Sequence, residues 1–91
     1  MAPGFTVNAY PQIRNAQLCR AITAARVAAA LRGGSTSTVD VDTSRFPRLT
    51  ARIRQTQTLY GWAHITCGRA VFSARVMPGA NGPVIRVYAP P

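Results

Sequence analysis

The sequence predicts an α+β fold, with one long Ala-rich helix packed on an antiparallel sheet of four to five strands. Two observations support this prediction. Residues 11–32 are rich in Ala and are followed by a Gly pair, which is typical of a helix and its end. Beyond residue 38, apolar and polar residues alternate, which is typical of half-buried strands. The change of period within 91 residues indicates one domain that combines both kinds of element.

The single predicted domain, residues 1–91, divides into three parts. Residues 1–10 form an extended arm, in which FTVNAY has the composition of a short edge strand. Residues 11–32 form the helix, with Pro11 in its first turn and Gly33 and Gly34 at its end. A Ser/Thr/Gly linker leads to the sheet of residues 39–91.

Two apolar stripes run along the predicted helix. At about 100° per residue, the first stripe spans a sector of roughly 60° and should cover the sheet. This stripe comprises Leu18, Ile22, Ala25 and Ala29. The second stripe lies roughly opposite and comprises Ile13, Ala16, Val27 and Leu31. Because one small sheet cannot cover both stripes, we expect Ile13, Val27 and Leu31 to contact a neighbouring subunit.

Alternating segments at residues 49–53, 70–76 and 85–89 predict the strands of the sheet. Residues 60–67 also resemble a strand, and the sequence VDVDT predicts a short fifth one. The polar positions of this alternation include several arginines, so one face of the sheet should be strongly basic. The arginines assigned to this face are Arg52, Arg54, Arg69, Arg75 and Arg86.

The charge of the chain indicates an acidic partner. There are eleven Arg, two Asp and neither Lys nor Glu, which gives a formal net charge of +9. Most of the guanidinium groups therefore have no carboxylate within the chain. Arg binds phosphate or carboxylate through a planar fork, so nucleic acid and an acidic neighbouring subunit both fit.

The acidic residues and the single His do not predict an active site. Asp40 and Asp42 would project to the same side of a strand, but with eleven Arg in the chain we expect them to form salt bridges. His64 and Cys67 are three positions apart, which places them on opposite faces of a strand. No phosphate-binding or nucleophile motif occurs. We therefore predict no catalytic, cofactor-binding or metal site and no small-molecule substrate.

The cysteines and the N-terminus bear on localisation. The N-terminal residues lack the basic start and apolar run of a signal peptide, and no stretch approaches the roughly 18 apolar residues of a membrane span. Without a secretory signal, we favour buried thiols over a disulfide for Cys19 and Cys67. We expect no membrane partner.

The stretch VDVDTSRFPRLTARI follows a basic Ala-rich helix and precedes strands that end in a Pro-containing tail. This order resembles the tail-completion or neck family of tailed phages, in which a V-D-T-G-R-L-like signature opens an antiparallel sheet. Asp42, Thr43, Ser44 and Arg45 would occupy the signature, and AVFSARVMPG the following strand and turn. The resemblance implies a ring-forming structural subunit at the head-tail junction or tail, with copies of itself, other virion proteins or packaged DNA as partners. It also implies assembly in the host cytoplasm.

A second interpretation of the sequence is a small nucleic-acid-binding module, including a ribosome-associated protein. It would use the basic sheet face, with Tyr60, Trp62 and Phe72 as candidate platforms for stacked bases. In a domain with seven aromatic residues, we favour a place in the core for these three.

Overall fold

The structure, a computed structural model, describes residues 12–90, so the predicted N-terminal arm lies outside it. Two helices and five strands follow one another along the chain: β1 (Gln12–Ile13), α1 (Ala16–Leu31), β2 (Thr38–Asp42), α2 (Pro47–Tyr60), β3 (Ala63–Cys67), β4 (Ala70–Gly79) and β5 (Gly82–Tyr88). The predicted α+β class is confirmed. The prediction of a single helix is wrong, because residues 47–60 form a second one.

Helix α1 begins later than predicted and ends where predicted. Asn15 adopts an extended conformation, and its side-chain oxygen accepts a hydrogen bond from the N–H of Leu18 at 2.9 Å, which caps the helix. Residues 12–13 are therefore not helical but pair with β3 as β1. At the other end Gly33 has φ of 74°, a conformation that glycine adopts without strain and that ends the helix.

Helix α2 replaces the strand predicted at residues 49–53. Pro47 starts the helix, and the buried positions Thr50, Ile53 and Thr56 recur every third residue. The two threonines can be buried because their hydroxyls donate to the carbonyl oxygens four residues earlier, at 2.7 Å and 2.9 Å. Polar residues thus occupy the buried face, so the helical period is hidden in the hydrophobic pattern.

The five strands form one sheet in the order β1-β3-β4-β5-β2. All neighbours are antiparallel except β1, which runs parallel to β3. The strands predicted within residues 60–67, 70–76 and 85–89 are present as β3, β4 and β5, but β3 begins only at Ala63, because Tyr60 still belongs to α2. The predicted fifth strand is present as β2 at one edge of the sheet. The prediction of a purely antiparallel sheet is therefore wrong only for the two residues of β1.

Both helices contribute to one core against one face of the sheet. This inner face is formed by Ile13, Val39, Val41, Ala63, Ile65, Phe72, Ala74, Ile85 and Val87. The opposite face, called here the outer face, carries mostly polar side chains. Alternation along each strand explains the contrast, since successive side chains point to opposite faces.

A disulfide between Cys19 and Cys67 joins α1 to the end of β3. The expectation of two free thiols is therefore wrong. The first turns of α1 cross β3, which brings the two Cα atoms to 5.6 Å, well within the range that a disulfide spans. The bond connects residues 48 positions apart in the sequence.

The side chain of Gln57 completes the sheet where β3 is too short. Strand β4 continues beyond Ala74, the last residue that pairs with β3. At Val76 the backbone N–H donates to the Gln57 side-chain oxygen at 2.8 Å, and the backbone oxygen accepts from the Gln57 side-chain nitrogen at 3.4 Å. The amide of Gln57 thus takes the place of a strand and fixes α2 to β4.

Candidate functional site

The five arginines assigned to one sheet face are not on one face. Arg75 and Arg86 lie on the outer face as predicted, directly opposite each other on β4 and β5. Arg52 and Arg54 belong to α2, because residues 47–60 are helical rather than extended. Arg69 lies in the turn between β3 and β4.

Arg54 and Arg75 nevertheless meet at the edge of the sheet. They line a cleft of about 400 Å³ together with Gln57, Thr58, Gly61 and Val76, named here the arginine cleft. It forms where β4 extends past β3, so that a residue of α2 approaches an outer-face residue of β4. Both arginines are exposed, and within residues 12–90 neither makes a salt bridge or a side-chain hydrogen bond. The cleft therefore presents two uncompensated positive charges.

Arg86 differs from Arg75 because its charge is neutralised. Its Nε donates to one carboxylate oxygen of Asp40 at 2.9 Å, and a terminal nitrogen donates to the other at 3.2 Å. This hydrogen bonding raises the pKa of Arg86 above its ordinary value. The predicted use of the aspartates as salt-bridge partners is confirmed for Asp40. Of the two arginines that face each other on β4 and β5, only Arg75 therefore keeps a positive charge without a carboxylate partner among residues 12–90.

Asp42 has a different task from Asp40. Its carboxylate accepts a hydrogen bond from the N–H of Ser44 at 3.0 Å and caps the 3₁₀ turn that leads to α2. That hydrogen bond is the main cause of the lowered pKa of Asp42. A lowered folded-state pKa means that this contribution to stability is present at neutral pH and is lost as the pH falls through that pKa. The two carboxylates thus serve separate partners.

The aromatic residues divide between core and surface. Phe72 is buried, with the guanidinium of Arg26 over its ring at 5.4 Å, so its predicted place in the core is confirmed. Tyr60 and Trp62 are partly exposed, and the core prediction is wrong for them. The indole N–H of Trp62 donates to Nε2 of His64 at 2.8 Å. This pair lies at one end of the outer face.

From Ala24 to Leu31 the exposed side chains of α1 are apolar, as its second stripe predicts. Val27 is 53% exposed and Leu31 is 84% exposed. Ile13 is 1% exposed and does not belong to this surface, so its assignment to a subunit interface is wrong. The reason is that Ile13 is in β1, pairs with Ile65 and faces the core. The name apolar helix face is used below for Val27 and Leu31.

The described residues offer few groups for chemistry. His64 and Cys67 lie on opposite faces of β3, and Cys67 is disulfide-bonded. Residues 12–90 contain no group of three His, Cys, Asp or Glu side chains that could hold a metal ion. They also contain no helix long and apolar enough to cross a membrane.

Comparison of the chain with models of known protein families, with curated proteins and with solved structures found no match.

Proposed function

We propose that the chain is a non-enzymatic structural subunit of a tailed-phage particle, at the head-tail junction or in the tail, that assembles as a repeated subunit. The apolar helix face is the observation that carries this proposal. The sequence VDTSR, on which the phage resemblance depends, supports it as well. In the structure this segment contains the Asp42 cap that connects the edge strand β2 to α2.

The apolar helix face supports assembly because the two large side chains are exposed without a neighbour to cover them. α1 already covers the core with its opposite side, through Leu18 and Ile22. Val27 and Leu31 are one helical turn apart, and the positions beside them include the small residues Ala24 and Ala30. A flat apolar strip of this kind allows another subunit to approach closely, and exposed apolar patches commonly mark such contacts.

The change of Val27 and Leu31 to Glu tests this proposal. We expect the double variant to remain folded but to lose assembly, because two carboxylates would have to be desolvated in the contact. Multi-angle light scattering after gel filtration measures the mass, and circular dichroism the fold. The control Ala51→Glu with Gln55→Glu adds the same charge to the exposed side of α2 and should assemble normally. Assembly of the Val27/Leu31 variant at the mass of the parent would contradict the proposal.

The arginine cleft favours a second candidate function, nucleic-acid binding. The two guanidinium groups in the arginine cleft have no carboxylate partner among residues 12–90, so both are available to the phosphates of a nucleic acid. Arg binds a phosphate group through two parallel hydrogen bonds. The partly exposed ring of Trp62, which does not line the arginine cleft, would add a surface on which a base of the nucleic acid stacks. Contacts to phosphate position a protein without reading the bases, so we expect the arginine cleft to show little sequence preference.

A salt series with random duplex DNA tests the second function. Replacing Arg54 and Arg75 with Ser should reduce the slope of log K against log salt by about 1.8, since each lost phosphate contact contributes about 0.9. Replacing Arg52 and Arg69 with Ser removes the same charge outside the arginine cleft and is the control. Equal losses in the two variants would show that the cleft has no special role. Binding insensitive to salt would exclude phosphate contacts altogether.

A further inference from the structure

The free edge of β2 has unpaired backbone groups. The N–H of Ala89 donates to the oxygen of Ser37 at 2.8 Å, and the register pairs Thr38 with Tyr88. Hydrogen-bonded pairs alternate along an antiparallel ladder, so residues 37, 39 and 41 bond to β5. The N–H and C=O groups of Thr38 and Asp40 therefore point away from the sheet. No other strand within residues 12–90 pairs with them.

A groove of about 760 Å³ follows this edge. On the helix side it is lined by the small residues Ala25, Ala28 and Ala29 beside Val39, with Arg32 at the C-terminal end of α1. On the outer-face side it is polar and is lined by Asp40, Arg86 and Tyr88. An unpaired strand edge with room on both sides of the sheet plane is the geometry that accepts an additional strand, with alternate side chains on each side.

We propose that this groove accepts residues 5–10 of a neighbouring copy as a sixth strand, an inference that rests on the proposed function as a repeated subunit. The occupant is identified by its alternation. In FTVNAY the apolar residues Phe5, Val7 and Ala9 alternate with Thr6, Asn8 and Tyr10. One register therefore places all three apolar side chains against the alanines of α1. The same register places the polar ones beside Asp40, Arg86 and Tyr88.

The strand must come from another copy because the chain cannot reach its own β2. Residue 12 is in β1, at the opposite end of the sheet from β2. A strand added beyond β2 lies five strand spacings from β1, which is about 24 Å. Tyr10 is two residues from Gln12, so these residues are at most about 7 Å apart. Strand addition thus joins copies head to tail, and such contacts build rings or filaments.

Direct pairing of two β2 edges is a less suitable use of the groove. Both acidic residues of the chain, Asp40 and Asp42, are on β2. A second β2 strand would bring the carboxylates of two copies together, and like charges on facing strands destabilise a sheet. The segment FTVNAY carries no charge and avoids this repulsion.

A pair of full-length variants tests the alternation. Val7→Asp places a carboxylate against the alanines of α1 and should raise the subunit dissociation constant at least about tenfold, equivalent to 1.4 kcal/mol. Asn8→Asp adds the same charge to the polar side and should stay within about threefold of the parent. Sedimentation equilibrium measures both. An equal effect of the two variants, or none from Val7→Asp, would overturn the proposal.

A labelled peptide of residues 1–11 tests the groove directly, with full-length Val7→Asp protein as the acceptor. Asp40→Ala in that acceptor removes the salt bridge but keeps the backbone N–H, and it should bind the peptide. Asp40→Pro also removes the outward N–H, without touching a bond to β5, and should not bind. Equal binding to both, or binding to neither, would overturn the proposal. If Asp40→Pro fails to fold, the Val7 and Asn8 variants still decide.

Different results would contradict the proposed function and the proposed strand exchange. A parent chain that stays monomeric at every concentration would overturn the repeated-subunit function. A parent chain that assembles, with a Val7→Asp variant that assembles equally well and a peptide that does not bind, would overturn only the strand exchange.

Discussion

Replacing Cys19 and Cys67 with Ala is expected to lower the free energy of unfolding by about 4 kcal/mol. The disulfide closes a loop of 48 residues, and the lost chain entropy of an unfolded loop of that size corresponds to roughly this value. For a small domain, whose whole stability is about 5–15 kcal/mol, the loss would be large. Urea unfolding under non-reducing conditions measures it.

A reductant provides the matched control for the cysteine variants. The parent chain in reductant should lose similar stability, whereas the double variant should be insensitive to reductant. A loss below about 1 kcal/mol, as expected if the two residues were only packed thiols, would contradict a stabilising disulfide.

Changing Ile53 to Ala should lower the free energy of unfolding by about 3–4 kcal/mol, the second large effect. Ile53 is fully buried between α2 and the sheet, so the change removes apolar contacts and leaves a cavity. Unfolding by urea, followed by circular dichroism, measures the loss. A loss below about 1 kcal/mol would mean that Ile53 is not in the core.

Ala51 is the control that distinguishes a helix from a strand. In a strand, Ala51 and Ile53 would face the same side, and a charge at either would be buried. In α2 the side chain of Ala51 is exposed, so Ala51→Asp should change the free energy of unfolding by only about 0.5 kcal/mol. A loss comparable to that of Ile53→Ala would support the strand that the sequence predicted.

The sequence predicts correctly the helices and strands in which apolar residues occupy the buried positions. α1 is signalled by its Ala content and Gly end, and β4 and β5 by strict alternation. α2 was missed because Thr50 and Thr56 occupy its buried side, and their hydroxyl bonds to the helix backbone cannot be read from a pattern of apolar residues. The apolar residues at positions 49, 51 and 53 also fit the alternation of a strand, so the sequence pattern does not identify this segment as a helix.

The candidate site was less predictable than the fold. Arg75 and Arg86 follow from strand alternation, but the approach of Arg54 to Arg75 depends on how α2 crosses the end of β3. The disulfide likewise depends on the path of α1 over the sheet, which no spacing of two cysteines reveals. The assignment of Ile13 to the helix is wrong because the Asn15 cap starts α1 at Ala16, five residues after Pro11, where the sequence predicts the start.

The bond between Gln57 and Val76 restricts which changes of length the chain tolerates. One residue inserted into α2 ahead of Gln57 would turn its side chain by about 100° and shift it by 1.5 Å, away from the β4 backbone. The number of residues from Pro47 to Gln57 is therefore fixed, because Gln57 must lie beside Val76 of β4. The Gly79–Gly82 turn is less constrained, because its two ends pair with each other within the β4–β5 hairpin. Related chains should differ in length at that turn and keep the number of residues in α2.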